Sequence, residues 1–433
     1  MNFDKICVLG MGYIGLPTAS TFATHGVRVV GVDVNRQVVE TLQNGGVHIH
    51  EPGLRTLFQA AYKSGNLTIS PQPEESDAFI IAVPTPFKEG KKADLEFVVS
   101  ASEAIVPYLK QGNLVVLEST SPPRTTIDVV APILEKSGLK AGEDFHLAYS
   151  PERVLPGQIL RELIDNARVI GGIDKASSDA GRDLYATFVR GEIICTTATT
   201  AEMVKLMENT YRDVNIAIAN EFSRLAARFG VDVWEAIELA NRHPRVEILN
   251  PGPGVGGHCI SVDPWFFVEA APDLTPLIAT ARNVNDAQPQ VVVDMLQSAL
   301  TDLSGKRIAV LGLAYKPDVD DLRESPAVEI ASQLAEKGAI VVAYEPYKLD
   351  AQFPKFSMAQ TLEEALSGAD ALVLLVAHAP LKNIAPEDVA AKTKARIAID
   401  AVNGWDAAAW QAAGFSLSRL GVGTDHNPLS TTH

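Results

Sequence analysis

The chain has 433 residues, 46% of them apolar and 21% charged, which is the composition of a folded protein with room for two or three domains. Its 53 acidic and 37 basic side chains leave a net charge of −16, which excludes general binding to nucleic acid or to an anionic membrane. Cys7, Cys195 and Cys259 are too few and too scattered for a disulfide framework or a zinc site, so no metal is expected. The start, MNFDKICVLG, has no basic and apolar leader, and no apolar run reaches the roughly 18 residues of a membrane span. The expectation is a cytoplasmic enzyme or ligand-binding protein.

In chain order, residues 5–10 read as a buried strand, 14–25 as a helix and 27–33 as a second strand, with further strands at 78–83 and 114–118. Strands alternating with helices imply a parallel sheet covered on both faces. Thr199 followed by Glu202 reads as a capping box that opens a long helix to Gly230, with a second helix through about residue 242. No strand pattern occurs between 200 and 300. A new α/β unit opens at 307 and continues at 339–344, 371–376 and 396–400. It repeats the first weakly: Leu9-Gly10 matches Leu311-Gly312, Gly26 matches Gly338, and Asp33 matches Glu345. The repeat predicts an insertion after the first strand of the second unit, containing Lys316 and Arg323, at the edge where open α/β sheets bind ligands. The fold class is therefore α/β, with two Rossmann-like doubly wound parallel-sheet domains, 1–198 and 301–433, joined by a helical segment, 199–300. The residues after about 421 read as a frayed tail.

Gly10-Met11-Gly12-Tyr13-Ile14-Gly15 leaves a predicted strand and opens a helix, with Asp33 at the end of the next strand. The first glycine permits the turn, the second lets backbone approach a pyrophosphate, and the third permits close packing of helix on strand. A carboxylate at Asp33 accepts ribose hydroxyls and repels a 2′-phosphate, which favours NAD over NADP, although Arg36 lies close by. The segments Pro84-Thr85-Pro86 and Ser119-Thr120-Ser121-Pro122-Pro123 lie at strand ends on the cofactor edge. Spacing alone reads them equally as structural turns.

Residues 250–265, NPGPGVGGHCISVDPW, form a constrained glycine-rich loop that delivers Cys259, with Asp263 four residues on. A glycine-rich loop packs a buried thiol poorly, so Cys259 reads as reactive, whereas Cys7 and Cys195 read as small buried hydrophobes. Lys205, Asn209 and Arg212 share one helix face, and their apolar neighbours Met203, Leu206, Met207, Val214 and Ile216 predict a helix buried on much of its circumference. A polar stripe there needs a partner, and a nearby ammonium lowers a thiol pKa. His243-Pro244-Arg245, Lys316 and Arg323 form loop-edge basic groups that fit a phosphate site in an acidic protein. Glu152, in SPERVLPG, reads either as a solvated turn acid or as a carboxylate that positions water.

These motifs, with AEMVKLMENTYRDVN and YKPDVDDLRESP, occur in an order that resembles the UDP-glucose/GDP-mannose dehydrogenase family across essentially the whole chain. PERVLPG, NRHPRV and GGHCISVDPWF are most similar to the branch that oxidises UDP-N-acetylmannosamine, with UDP-N-acetylglucosamine 6-dehydrogenases as near relatives. The resemblance implies four-electron oxidation of a sugar C6 alcohol by two NAD, through a thiohemiacetal and a thioester on Cys259, in a pathway making polysaccharide precursors. It implies that Lys205 and Asn209 stabilise the oxyanion, that Asp263 tunes that region, and that Glu152 and Thr120 hold the water. By the same resemblance Gly10, Gly12, Tyr13, Ile14, Gly15, Asp33, Thr85 and Thr126 take NAD. Arg153, Val154, Arg212, His243, Arg245, Gly256, Tyr315 and Lys316 take the UDP-N-acetylhexosamine. Arg323 reaches the cofactor of a neighbouring domain or subunit, and the helical segment forms a homodimer or larger homo-oligomer.

Two positions depart from the family pattern. The UDP-glucose branch has a second carboxylate where Pro156 stands, and a glycine common in the cofactor loop is Arg124 here. Two other readings compete. A two-electron β-hydroxyacid dehydrogenase predicts no thiol role and no second α/β half. A non-catalytic nucleotide-sugar or dinucleotide sensor predicts no need for the Lys205, Asn209, Cys259 and Asp263 set.

Overall fold

In the computed structural model the described residues are 3–88 and 90–423. Most of the tail expected after residue 421 lies outside them. Ten strands occur in the first part: β1 (Lys5–Leu9), β2 (Arg28–Val32), β3 (Leu67–Ser70), β4 (Ala78–Ile81), β5 (Phe87–Lys88), β6 (Lys92–Ala93), β7 (Leu114–Leu117), β8 (His146–Tyr149), β9 (Arg168–Gly172) and β10 (Ile193–Thr197). Eight form one sheet in the order β10-β9-β8-β7-β4-β1-β2-β3, and β5 and β6 form a hairpin. Six more, β11 (Arg307–Leu311), β12 (Ile340–Tyr344), β13 (Ser357–Met358), β14 (Ala371–Leu374), β15 (Ile397–Asp400) and β16 (Ser416–Arg419), form a second sheet in the order β13-β12-β11-β14-β15-β16. Each sheet therefore has its first strand beside its second on one side and beside the strand of the other half-unit on the other. That order reversal opens a ligand crevice at the carboxyl ends of the strands.

Alternation along each central strand explains why both sheets are covered twice. Ile6 and Val8 enter one core while Cys7 and Leu9 enter the opposite one. Ile308 and Val310 divide from Ala309 and Leu311 in the same way. Successive side chains of a strand point to opposite faces, so a continuous apolar run fits only a sheet buried on both. The first sheet departs from the all-parallel expectation at one place: β9 runs antiparallel to β8.

The chain divides into two compact units, one of residues 1–208 with 265–272, the other of residues 209–264 with 273–433. The long helix, Ala198–Phe229, passes from one to the other. Its predicted cap is corrected. Helix begins directly after β10, and the hydroxyl of Thr197, not Thr199, accepts the backbone N–H of Thr200 at 3.2 Å. Glu202, fully buried, is used elsewhere: it accepts the N–H of Arg124 at 2.5 Å and both the N–H (2.8 Å) and the hydroxyl (2.6 Å) of Thr126. Two further expectations fail. Met203 and Met207 are exposed, so the helix is buried on a narrower face than its apolar content predicts, and Cys195 is exposed on edge strand β10. No helix among the described residues is long and apolar enough to cross a membrane.

Candidate active site

The glycine fingerprint leaves β1 where the strand order reverses. Gly10 has a φ of +95°, and a Cβ on it would lie 2.5 Å from the carbonyl oxygen of Ala82. A Cβ on Gly15 would lie 1.8 Å from the carbonyl oxygen of Gly10. The corresponding direction from Gly12 is open. Two glycines thus close the turn on itself and the third leaves backbone accessible from outside, the arrangement a pyrophosphate requires. The helix Gly15–Thr24 that follows has no side-chain cap on its first N–H groups. Asp33 is half-buried at the end of β2, where Oδ2 accepts Met11 N–H at 2.9 Å and Oδ1 accepts Asn35 N–H at 2.8 Å. These residues fit a dinucleotide whose phosphates meet the helix N-terminus and whose ribose meets Asp33.

The second sheet repeats the turn without the chemistry. Gly312, φ +88°, is pressed against Val376 as Gly10 is against Ala82. The acid in the repeat position, Glu345, is fully buried and saturated, accepting N–H groups of Leu313 (2.7 Å) and Ala314 (2.9 Å) and lying 2.9 Å from His378 Nε2. An acid closed in this way cannot receive a ribose.

At the strand ends of the first sheet, Ser119 and Ser121 are structural. The Ser119 hydroxyl donates to the Val83 carbonyl at 2.7 Å and ties the two loops together, while Thr85 and Thr120 stay half-buried at the crevice. Thr126 is fully buried with its hydroxyl given to Glu202, so its side chain acts on the loop rather than outward. Arg124 has a φ of +74°, which accounts for the glycine common there. Its guanidinium makes two 2.7 Å bonds to Asp128 on the adjoining turn.

Glu152 is neither solvated nor a turn acid. Its side chain is 8% exposed, it accepts Arg168 Nη2 at 2.5 Å, and its other oxygen accepts the N–H of Arg153 at 2.7 Å. The Arg153 guanidinium pairs with Glu208 at 2.6 Å and bonds the Ala167 carbonyl, while Val154 packs on the apolar core. Glu51 accepts the N–H groups of Gly157 and Ile159 at 2.8 and 2.9 Å and so fixes the far end of this loop.

In the second unit the glycine loop is anchored by residues that spacing did not reveal. The Asn220 side-chain oxygen Oδ1 accepts Gly252 N–H at 3.0 Å, and Asn220 Nδ2 donates to Asn285 Oδ1 at 2.9 Å. Asn285 bonds Asp213 at 2.8 Å, and Asp213 pairs with buried Arg282. Arg212, the predicted member of the polar stripe, is exposed; Asp213 beside it is the buried one. Lys205, Asn209 and Asp263 are all at most 8% exposed, and Asn209 Nδ2 donates to Asp263 Oδ2 at 2.5 Å. Gly256 and Gly257 have no room for a side chain: a Cβ would meet the Glu324 carbonyl at 2.5 Å and the Tyr315 ring at 2.8 Å. The predicted insertion is thus the wall behind the loop. Lys316 is half-buried beside Tyr315, and Arg323 forms a fork to Asp321 at 2.9 and 2.6 Å. His243 and Arg245 are exposed.

Cys259 is half-buried, and its sulfur lies 2.9 Å from His258 Nδ1. The Cys259 carbonyl accepts the N–H of Asp263 at 2.8 Å, so the thiol and Asp263 sit on one turn. His258 was not singled out by spacing, although its place directly before the cysteine carried the signal.

Models of the UDP-glucose/GDP-mannose dehydrogenase family match residues 4–189 (NAD binding domain), 199–287 (central domain) and 309–407 (UDP binding domain). The chain belongs to this family. It is an NAD-dependent nucleotide-sugar dehydrogenase. It is 48% identical to a UDP-N-acetyl-D-mannosamine dehydrogenase of Methanococcus maripaludis (strain C7), over 98% of each chain. It is 47% identical to an NDP-N-acetyl-D-galactosaminuronic acid dehydrogenase of Ralstonia nicotianae, over 94% of this chain and 97% of that one. The solved structure of a UDP-D-ManNAc dehydrogenase from Pyrococcus horikoshii superposes with a TM-score of 0.90 at 41% identity, covering 96% of this chain and 99% of that one.

Proposed function

We propose that the enzyme oxidises the C6 hydroxyl of UDP-N-acetylmannosamine to the carboxylate. The observation that carries the reading is the thiol of Cys259 beside an imidazole, on a turn shared with the Asp263 that holds Asn209. Bound NAD supplies the hydride acceptor for both oxidations. The residues of the chain do the rest. Loss of hydride and proton from the alcohol gives an aldehyde, with Lys205 and Asn209 stabilising the charge on its oxygen. His258 takes the thiol proton and the Cys259 sulfur adds to the aldehyde carbon, forming a thiohemiacetal. Loss of a second hydride, with the proton of the thiohemiacetal hydroxyl released to solvent, leaves a thioester. Water held by Glu152 and Thr120 adds to it, the carbon–sulfur bond breaks, and the acid departs while the electron pair returns to sulfur. Four electrons leave as two hydrides.

Gly10, Gly12, Tyr13, Ile14, Gly15, Asp33 and Thr85 serve the cofactor in this reading, Thr126 serves it by holding the loop through Glu202, and Arg323 reaches a cofactor through a neighbouring domain or subunit. Arg153, Val154, Arg212, His243, Arg245, Gly256, Tyr315 and Lys316 serve the nucleotide-sugar. Residues 1–198, 199–300 and 301–433 are its three functional parts. Tyr211, Ile218, Phe222, Leu225 and Phe229, exposed along one helix, support a homodimer. In this reading the compartment is the cytoplasm and the product class is polysaccharide precursors.

The test is stoichiometry: two NADH per sugar are expected, and one would overturn the reading. The similarity to a galactosaminuronate-type relative keeps the sugar epimer in play. Epimers differ by contacts worth about 1–3 kcal/mol. Side-by-side assay of UDP-N-acetylmannosamine, UDP-N-acetylglucosamine and UDP-glucose ranks them.

A further inference from the structure

Behind Glu152 lies a buried ionic cluster assembled from four elements of the first unit. Glu118 follows β7, Ser150 and Glu152 follow β8, Arg168 opens β9, and Tyr185 ends the helix Lys175–Tyr185. Arg168 reaches this edge because β9 runs antiparallel to β8, which brings its first residue to where β7 and β8 end. The guanidinium donates to Glu152 at 2.5 Å, to Ser150 Oγ at 2.9 Å and to Glu118 Oε1 at 3.4 Å, and it lies 4.3 Å above the Tyr185 ring. The Tyr185 hydroxyl donates to the same Glu118 oxygen at 2.5 Å. Glu118 Oε2 is buried with no hydrogen-bond partner among the described residues.

The cluster contains one cation and two carboxylates: Arg168 and Glu118 are buried, and the Glu152 side chain stays 8% exposed at its outer edge. Two carboxylates cannot both stay ionised there on one guanidinium without cost. Burial is the largest influence on Glu118 and raises its pKa; Arg168 opposes, Glu152 adds to the rise, and Tyr185 opposes, leaving it at about 7. Glu152 keeps the shorter bond to Arg168.

We propose that Glu118 is a positioning residue for the hydrolytic step, acting through Arg168 on Glu152 and standing in for the second carboxylate absent at Pro156. The proposal rests on Glu152 being the group that takes the proton of water. With Glu118 neutral, the Arg168 guanidinium serves Glu152 alone. With Glu118 ionised, the guanidinium is shared and Glu152 accepts the proton more readily. In that step the water oxygen bonds to the thioester carbon, the proton passes to Glu152, and the carbon–sulfur bond breaks with its electron pair on Cys259. The sulfur recovers a proton from Glu152 and the acid ionises to solvent, so no electrons are transferred. The charged and titratable groups around Glu118 are Arg168, Glu152 and Tyr185. Arg168 and Glu118 face Glu152 among the described residues, and the Arg153 guanidinium is turned to Glu208.

The experiment compares the wild type with Glu118→Gln, Tyr185→Phe and Glu152→Gln. With UDP-N-acetylmannosamine and NAD, the NADH burst, acid release and acyl-enzyme mass are followed from pH about 5.5 to about 9. Wild-type acid release is expected to rise through pH about 7. Glu118→Gln keeps the burst, accumulates acyl-enzyme, releases acid about tenfold more slowly and loses the rise. Tyr185→Phe removes a hydrogen bond that favours ionised Glu118, so the rise moves to higher pH. A wild-type profile in Glu118→Gln overturns the proposal, as does an equal loss of burst and acid release with the profile intact. Should Glu118→Gln not fold, an unshifted rise in Tyr185→Phe overturns it alone. Wild-type hydrolysis in Glu152→Gln removes the reading of Glu152 and this proposal with it. A slow Glu152→Gln beside unaltered Glu118→Gln and Tyr185→Phe removes the Glu118 role only.

Discussion

The Asn209 side-chain amide donates to the Asp263 carboxylate at 2.5 Å, and both side chains are buried. One residue lies on the long helix and the other at the start of the helix that follows the thiol, so the bond fixes the turn carrying Cys259 against the polar face. Asn209→Ala and Asp263→Ala should each lower kcat by about a hundredfold. The double variant should be little worse than the worse single one, because both break one bond. Additive losses in a double-mutant cycle would show that the two act separately.

Gly12 and Gly15 separate binding from folding. A methyl on Gly15 collides with backbone, whereas one on Gly12 points into open space. Gly15→Ala should destabilise the fold by more than about 2 kcal/mol. Gly12→Ala should melt like the wild type yet lose at least about tenfold in NAD affinity. Thermal melts with NAD titration decide it, and equal melting of the two variants would contradict the packing.

Asp33 has two tasks, holding the turn through Met11 and meeting the ribose. Asp33→Ala should cost about 1–2 kcal/mol of stability. It should also raise the KM for NAD and narrow the preference for NAD over NADP. Unaltered coenzyme preference in the steady-state kinetics would remove Asp33 from the ribose site.

The three thiols should label in a fixed order. Burial pushes the Cys7 thiol up to about 12, so it should react only on unfolding. Cys195 is exposed, and its modification should leave activity intact; modification of Cys259 should abolish acid formation. Peptide mapping after alkylation, read beside activity, checks the order.

Arg124→Gly removes a side chain from a left-handed backbone position and breaks only an exposed pair with Asp128. Its melting temperature should rise, with turnover unchanged.

The two sheets, the glycine turn, Asp33 and the thiol loop were legible in the sequence, because a continuous apolar strand, a close backbone approach and a constrained loop each leave local marks. The internal repeat was legible for the same reason, and the structure adds that its second acid is closed off by His378. The helix start at Thr197, the exposed Cys195 and the exchange of Arg212 for Asp213 were not, since a shift of one residue changes a face without changing the pattern.

What the sequence determined by itself is local: which segments alternate, where a Cβ cannot fit, and which thiol lacks a core to pack in. What the tertiary structure decided is which charges face one another. Glu118, Arg168 and Tyr185 are up to 67 residues apart, and only the reversal of β9 gathers them behind Glu152. A buried carboxylate takes its chemistry from the cation and the dryness around it, and neither is written in its neighbours along the chain.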